Sequence, residues 1–409
     1  MSQINIQDLK LHQRASEFSP VSCTHPSKMA NPLFPPAAFH TTPGITHVCA
    51  AGETLPLEAH KAALTNYLSD KASGHIGPAA KTKQIEHVRS VIAQQWKVPK
   101  QEIGFAGNVA DGVSMLVDSL HWEEGDNVVL DPDDFPSLIA PFAVKSQAHR
   151  ERYGVEIPQV RYAAEKELEA AVDRRTRLIA ISYVSYLNGA RVDLSFYRRV
   201  ADSVGAILVV DYSQAAGYLP IDASIADFAF TACHKWLLGV TGVTIAYWNR
   251  TRQPDWKPTT AGWYSLDFGH PRPQWGEETL RFRDDALVFT RGNPSHMSIY
   301  VLRESVDFLS RWDAVEIERH VQILTTAFLE GLEREGIQSS TPKEKHRHGG
   351  SVTIHCNGAS EIVDGLRKAE IYAWNGNGRV RISFHGYNSR RDVERLLEEV
   401  PALWRKFNT

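Results

Sequence analysis

The sequence has little of what marks several common classes of protein. It holds four cysteines among 409 residues, and none of them stands in a CxxC pair. This spacing predicts neither a zinc knuckle nor a disulfide framework, and it is typical of a reducing compartment. No apolar run approaches the roughly 20 residues that a membrane-spanning helix needs. The first segment, MSQINIQDLKLHQRASEF, lacks the apolar core of a signal peptide. We therefore expect a cytoplasmic protein that does not associate with membranes.

An excess of charge of either sign is also missing. The 45 Lys and Arg residues nearly balance the 48 Asp and Glu residues, and the formal net charge is −3. Nucleic acid is therefore not expected as a partner. The motifs GxxxxGK(S/T), HExxH, GxSxG and strand–GxGxxG–helix are absent as well. The HRH triplet at 346–348 contains metal-ligand residue types, but its polar setting favours an exposed loop. We predict no metal site.

The sequence does contain an alternation of strand-like and helical segments. Strands are predicted at 103–107, 127–131, 177–184, 206–211, 228–232 and 244–248, and helices at 111–120, 137–147, 165–173 and 194–205. The stretch AILVV at 206–210 is apolar at every position, as strands buried on both faces are. The alternation predicts an α/β domain with a mostly parallel sheet wrapped by helices. Such a sheet places its site at the carboxyl ends of the strands.

The pattern changes after residue 295. Helices are predicted at 296–310 and 317–335, strands at 351–356 and 379–384, a short helix between these strands, and a last helix that Ser389 and Asp392 open as a capping box. This order is typical of a small α+β domain. We therefore divide the chain into an N-terminal arm at 1–45, a large domain at 46–295 and a small C-terminal domain at 296–409.

Two charged residues follow neighbouring predicted strands. AILVVD ends in Asp211, and FAFTA is followed closely by His234 and Lys235. Because adjacent strand ends meet at one edge of a parallel sheet, we expect this carboxylate and this amine to face one crevice. A lysine in apolar surroundings is commonly a snorkelling surface residue, and an aspartate at a strand end commonly caps a turn. The alternative for Lys235 is a desolvated, nucleophilic amine.

The segment VVDYSQAAGYLPIDASIADFAFTACHKWLLGVTG resembles the signature of the class V aminotransferase family of pyridoxal-phosphate enzymes, which have fold type I. The resemblance covers most of the chain and points to the isopenicillin-N-epimerase-like branch, with kynureninase-like features. It implies that pyridoxal 5'-phosphate is the cofactor and that Lys235 forms an imine with it and acts as an acid and base. It further implies that Asp211 pairs with the ring nitrogen, Gln214 with the ring hydroxyl and His234 with the phosphate.

Further segments match the same family. IGFAGNVADGVSMLVDSL corresponds to the phosphate cradle, where the backbone N–H groups of Val109 and Ala110 would open a helix. In NVVLDPDDFPS, Phe135 takes the place of the ring that stacks on the cofactor. AGW and RGNPS are kynureninase-like, and they imply that Trp263 and Asn293 approach the phosphate from the partner subunit. The resemblance thus implies a homodimer with composite sites.

The closing motif GRVRISFHGYNS implies that Arg381 binds the α-carboxylate of an amino-acid substrate, for which its planar fork is suited. Arg379 lies on the same face of an alternating strand and competes for this role. The link IYAWNGNGRVRIS has no cysteine, which disfavours desulfuration through a persulfide. Kynureninases carry His and Tyr where Gln214 and His234 stand, so strict kynureninase activity is not expected.

The resemblance implies an enzyme that acts on a small-molecule α-amino acid. Aminotransfer is favoured, because it needs only Lys235 to shuttle a proton. A C–S lyase, an epimerase or a kynureninase-like hydrolase are the alternatives within the family. A pyridoxal-phosphate-binding regulatory protein is an alternative of another class, and the joint presence of Lys235, Asp211 and Arg381 argues against it.

Overall fold

The computed structural model describes residues 31–267, 276 and 280–408. Its strands are β1 (Thr46–His47), β2 (Ile103–Ala106), β3 (Asn127–Leu130), β4 (Gln159–Tyr162), β5 (Thr176–Ser182), β6 (Ile207–Asp211), β7 (Phe228–Ala232), β8 (Thr244–Trp248), β9 (Ser351–His355), β10 (Ile371–Tyr372), β11 (Trp374–Asn375) and β12 (Arg379–Ser383). Its α-helices are α1 (Ala59–Ala72), α2 (Gly77–Trp96), α3 (Val109–Ser119), α4 (Pro136–Tyr153), α5 (Leu168–Ala171), α6 (Leu194–Val204), α7 (His296–Leu309), α8 (Ala314–Arg334), α9 (Ala359–Lys368) and α10 (Arg390–Phe407).

Short 3₁₀ helices connect these elements. They lie at Pro36–Ala38, Gly74–Ile76, Lys100–Glu102, Glu165–Glu167, Ala223–Ile225, Trp263–Ser265, Ala286–Phe289 and Lys345–Arg347.

A seven-stranded sheet in the order β2-β8-β7-β6-β5-β3-β4 forms the centre of the larger unit. The strands from β7 to β4 run parallel, and β8 is antiparallel to both β7 and β2. The mostly parallel α/β class is thereby confirmed. Strand β6 is buried along most of its length, as its unbroken apolar run predicts. Strand β4 is not among the predicted strands, because QVRY is a short, partly exposed strand at the sheet edge.

Two long helices, α1 and α2, are also not among the predicted elements. Helix α2 buries Ile85, Val88, Ile92 and Trp96 against the main core, at a spacing that follows the helical period. Helix α1 has only a narrow buried face, formed by His60 and Ala63. Its sequence therefore carries almost no periodic apolar signal.

A second core lies under the antiparallel sheet β11-β12-β9, between α8, α9 and α10. The capping box that opens α10 is confirmed, since Ser389 N donates to Asp392 Oδ2 at 2.7 Å. Helix α7 packs in the larger core rather than this one. From the predicted arm, Phe34 is fully buried in the larger core, and residues 1–30 lie outside the described residues. The division into domains remains a prediction.

Candidate active site

Parallel pairing of β6 and β7 brings the two chemically important segments together. Asp211, the last residue of β6, pairs with Phe230 of β7, and His234 and Lys235 follow β7. A cavity of about 190 Å³ lies at this edge of the sheet. Its lining includes Val109, Phe135, Asp211, Gln214, His234 and Lys235. These residues, which were predicted from four separate segments of the sequence, therefore meet at one place.

The amine of Lys235 is largely removed from solvent. Burial lowers the pKa of Lys235, the negative charge of Asp211 offsets part of this effect, and the positive charge of Arg381 lowers the pKa further. The Lys235 carbonyl oxygen accepts bonds from Thr54 Oγ1 and Leu238 N, both at 2.9 Å. The turn places Leu238 at φ 59°, a left-handed conformation that costs a residue with a side chain about 1–2 kcal/mol. The backbone thus holds the amine at a defined place.

Asp211 is a buried carboxylate, with 3% of its surface exposed. Burial raises its pKa, and the bonds from Ser213 and the charge of Lys235 counteract this rise. Ser213 N donates to Asp211 Oδ1 at 2.7 Å, so the residue does cap the turn after β6. Within the described residues Asp211 forms no ion pair closer than 4.0 Å. Asp211 also lines the cavity, so its carboxylate can meet a ligand there.

A second buried carboxylate, that of Asp134, lies near Asp211. Asp134 is buried, and burial raises its pKa to about 6, with the charge of Asp211 acting in the same direction. Ser182 donates to it from both N and Oγ, at 2.7 and 2.5 Å. No sequence signal marks Asp134, because in NVVLDPDDFPS it is one of three aspartates without distinguishing features.

Gln214 and His234 have different surroundings. The Gln214 amide donates to Ala51 O at 2.9 Å and accepts from Trp236 Nε1 at 2.8 Å, so its orientation is fixed and one N–H remains. Burial lowers the pKa of His234 to about 4, and the nearby charge of Lys235 adds to this. His234 is therefore neutral at ordinary pH.

The first turn of α3 borders the cavity opposite these strand ends. Asn108 accepts a bond from Asp111 N at 2.9 Å and so caps the helix. Val109 lines the cavity, and Ala110 follows it in the same turn. The first N–H groups of a helix have no partner within the helix, which makes this end suitable for a phosphate.

Two arginines contact Tyr186, which lines the cavity, but neither arginine lines this cavity itself. Arg379 and Arg381 occupy alternate positions of β12 and are 2% and 4% exposed. Their guanidinium carbons lie 5.2 and 4.4 Å from the centroid of the Trp374 ring. Burial lowers the pKa of Arg381 to about 10, and the charge of Arg379 contributes to this. Neither guanidinium forms an ion pair within the described ranges.

Tyr186 links the arginines to the cavity, and it is not among the site residues predicted from the sequence. Its carbonyl oxygen accepts from Arg381 Nη1 at 2.9 Å, and its side chain lines the cavity. Its ring meets the ring of Phe135 edge to face, with centroids 4.9 Å apart. No motif around Tyr186 marks it, because its position depends on contacts with residues distant in sequence.

Trp263 and Asn293 do not line the cavity that contains Lys235. Trp263 is 54% exposed. Asn293 lines an adjoining cavity of about 200 Å³, which shares Gly107, Gly242 and Val243 with the first. Their action in a partner's site therefore remains a prediction.

The cysteines that the structure describes are not poised as nucleophiles. Burial raises the pKa of Cys49 to about 11 and that of Cys233 to about 12, and it also raises the pKa of Cys356. Cys233 is fully buried, as a packing residue would be. Cys23 lies outside the described residues.

The HRH triplet differs from its prediction in one respect. His346 is exposed as predicted, but His348 is buried and its Nδ1 lies 2.9 Å from Pro342 O. In the described part of the chain no group of three or more metal-ligand side chains is placed to hold an ion. Among the helices of this part, none is both long and apolar enough to cross a membrane.

The chemistry of the cavity fits pyridoxal 5'-phosphate. A desolvated amine suits the cofactor's aldehyde, a buried carboxylate suits a protonated ring nitrogen, and a helix N-terminus suits a phosphate. The fold and the cavity define an enzyme that uses this cofactor. The profile of the aminotransferase class-V family matches residues 51–396, and the chain belongs to this family.

Two curated relatives and two solved structures are similar to this chain. An uncharacterized aminotransferase YcbU of Bacillus subtilis is 23% identical over 78% of this chain and 84% of its own length. A probable cysteine desulfurase of Methanothermobacter thermautotrophicus is 24% identical over 79% and 85% of the two chains. Two structures of the cystine C–S lyase C-DES have TM-scores of 0.79 and 0.78 at 20% identity, and they cover 88% and 90% of this chain and 97% and 99% of theirs. One holds glycine linked covalently to pyridoxal phosphate, and the other holds the product cysteine persulfide.

Proposed function

We propose that this protein is an aminotransferase that acts on an α-amino acid through Lys235. The observation that supports this most is the Lys235 amine, which is desolvated by burial and lines the same cavity as Asp211. Desolvation increases the share of the neutral amine, which is the form that can bond to a carbonyl or accept a proton. Within the family, the isopenicillin-N-epimerase-like branch with kynureninase-like features remains our proposed placement.

The bound cofactor supplies an electron sink for the substrate α-carbon. Lys235 then accepts the proton from that carbon and returns it at a neighbouring position. Asp211 would keep a proton on the cofactor's ring nitrogen, since its buried carboxylate lines the cavity. Gln214 and neutral His234 would hold the ring hydroxyl and the phosphate, and Phe135 would cover the ring.

Arg381 would orient the substrate by its α-carboxylate. One N–H of its guanidinium is held by Tyr186 O, and its Nε is buried without a hydrogen-bond partner. A carboxylate would occupy the unused donors in a bidentate pair and fix the bond that is broken. Removing one partner of such a pair costs about 2–5 kcal/mol.

A C–S lyase is the second candidate, and the names of the relatives favour it. Desulfuration through a persulfide needs a nucleophilic thiolate. The charge of Arg381 lowers the pKa of Cys49, but burial outweighs this effect and raises the pKa to about 11, so Cys49 stays a thiol. As far as the described cysteines are concerned, a lyase reaction would therefore proceed by elimination, with Lys235 as the base and without a relay through Cys49, Cys233 or Cys356.

The test is product analysis with the purified holoenzyme and a panel of α-amino acids, with and without a 2-oxo acid acceptor. Transamination predicts that a new amino acid forms only when the acceptor is present. Release of ammonia and sulfide from a sulfur amino acid without acceptor would favour the lyase. A panel that gives no turnover at all would contradict both and support the regulatory, cofactor-binding alternative.

The decarboxylated amine of the best substrate is the matched comparison. Arg381→Ala should strongly raise KM for the amino acid and leave the visible absorbance of the bound cofactor unchanged. Equal turnover of the amino acid and its amine by the natural protein would show that Arg381 does not bind the carboxylate.

A further inference from the structure

We propose that Arg379 is a second anion-binding residue of the site, so that the substrate is an amino acid with an acidic group at the end of its side chain. The inference rests on the proposed function, which assigns the α-carboxylate to Arg381. It goes further, because it gives the neighbouring guanidinium a role and thereby restricts the class of substrate.

The first support is the unpaired state of Arg379. The residue is 2% exposed, and its Nε and Nη2 atoms are buried without hydrogen-bond partners. A buried charge without a partner strongly destabilises a protein, so it is retained where a ligand completes the pair. The described part of the chain offers Arg379 no carboxylate.

Other buried arginines of this chain are neutralised. Arg198 forms an ion pair with Asp227 at 2.6 Å. Arg89 pairs with Glu86 at 2.7 Å and with Asp285 at 2.9 Å. The two β12 arginines are different, because their neighbours are aromatic rings, the backbone carbonyl of Tyr186 and, for Arg379, the Tyr186 side chain, which forms a hydrogen bond but carries no full negative charge. This contrast indicates that a ligand supplies the missing negative charge.

The second support is the position of Arg379 relative to the cavity. Its guanidinium carbon lies 5.6 Å from the centroid of the Tyr186 ring, and the Tyr186 side chain lines the cavity that contains Lys235. Alternate residues of a strand point to the same side and are about 7 Å apart along it. A substrate held by Arg381 can therefore reach Arg379 through a side chain of a few carbon atoms.

The aromatic rings beside the two arginines restrict which ligands the arginines can bind. The centroid of the Trp374 ring lies within 5.2 Å of both guanidinium carbons, and the Tyr186 ring lies beside Arg379. These rings hold the planar guanidinium groups in place and exclude part of their water. A planar fork binds oxyanions through two parallel bonds. The second group would thus be a carboxylate, a sulfinate or a sulfonate, and an apolar or cationic side chain would leave the charge of Arg379 unpaired.

The test measures binding of glutarate, a dicarboxylate, and valerate, a monocarboxylate with the same number of carbon atoms, to the holoenzyme by calorimetry. We expect glutarate to bind on the order of tenfold more tightly or better, since it gains a second charged pair. 4-Sulfobutyrate serves as the third probe and tells a carboxylate preference from a sulfonate preference. Equal affinity for glutarate and valerate in the natural protein would overturn the inference without any variant.

Variants then assign the effect to one arginine. Arg379→Met should remove the preference for glutarate and leave the affinity for valerate unchanged, whereas Arg381→Met should weaken both. Arg367→Met, which alters an arginine with 64% side-chain exposure, should change neither. A glutarate preference that persists in Arg379→Met would contradict the proposal.

The proposed function can fail separately. Lack of turnover of every amino acid in the panel would refute the enzymatic role, while the binding of glutarate still reports on Arg379. Turnover of apolar amino acids at the rate of acidic ones would refute the substrate class and leave the proposed aminotransfer intact.

Discussion

The side-chain nitrogen of Lys235 lies 5.2 Å from the centroid of the Phe135 ring. Phe135 follows β3 and Lys235 follows β7, and two other strands separate these in the sheet. The ring and the amine therefore meet across the edge of the sheet rather than between adjacent strands. This approach contributes to the desolvation that lowers the pKa of Lys235.

The first prediction concerns the covalent attachment of the cofactor. Borohydride should fix pyridoxal phosphate to the peptide that contains Lys235, because reduction makes the bond between amine and aldehyde permanent. Lys235→Ala should lose this adduct, and Lys71→Ala, which alters an exposed lysine, should keep it. Mass spectrometry of the digested protein reads the result. An adduct that persists in Lys235→Ala would assign the cofactor to another residue.

Asp211→Asn should fold normally, because an amide oxygen can still accept the bond from Ser213 N. It should lose on the order of 10³-fold in kcat, since a neutral amide cannot hold a proton on the ring nitrogen. Asp222→Asn is a matched control, because Asp222 also accepts a bond from a backbone N–H two residues on, but in an exposed turn. Near-natural turnover in Asp211→Asn would show that Asp211 caps the turn and takes no part in catalysis.

The proposed composite site predicts complementation between subunits. Lys235→Ala and Asn293→Ala subunits should regain activity when they are mixed, because one site of the mixed dimer then has Lys235 from one chain and Asn293 from the other. A mixture of Lys235→Ala with Asp211→Asn should stay inactive, since both residues line the same chain's cavity. A fully active monomer in sedimentation experiments would exclude the composite site.

The stability of the protein should fall in mild acid, and His385 is one cause. Its Nε2 lies 2.9 Å from Trp236 O and its Nδ1 accepts from Gly386 N at 2.8 Å, an arrangement that only the neutral ring permits. Burial lowers the pKa of His385 to about 4 from 6.5. Between these two pH values the unfolded chain therefore binds more protons than the folded chain. The contribution of neutral His385 to stability is present above pH 6.5 and is lost as the pH falls toward 4.

This imidazole should contribute a slope of up to about 1.4 kcal/mol per pH unit to the free energy of unfolding. Urea unfolding at a series of pH values measures the slope, and His385→Gln should reduce it. Asp134 acts in the opposite direction, because its raised pKa of about 6 makes the folded state bind the extra proton. A slope that is the same in His385→Gln and in the natural protein would contradict the prediction.

The buried pair of Arg198 and Asp227 should contribute to stability rather than catalysis. Asp227 Oδ2 also accepts from Leu208 N at 2.8 Å, so its charge is tied to the sheet. Arg198→Met should lower the free energy of unfolding by about 3–5 kcal/mol, because it leaves a buried carboxylate unpaired. Lys343→Met, which breaks an exposed pair with Glu333, should cost about 0–1 kcal/mol in the same urea titration. Similar losses in both variants would contradict this account.

Some elements were predictable because their signals are local. The apolar run of β6 is read from consecutive residues, and the capping box of α10 from Ser389 and Asp392. Helix α1 and strand β4 were not predicted, because their own segments carry little local signal. Helix α1 has a narrow buried face, and β4 is a partly exposed strand at the sheet edge. Their conformations depend on neighbouring elements rather than on their own pattern.

The sequence by itself determined the α/β class, the cofactor and the residues at the ends of β6 and β7. Hydrophobic periodicity and a family motif are properties of the chain alone, and parallel pairing necessarily brings such strand ends together. The tertiary structure alone decided that Tyr186 joins the cavity to Arg381 and that Arg379 is buried without a carboxylate. Burial and pairing depend on which distant segments pack together, and no local pattern in the chain specifies them.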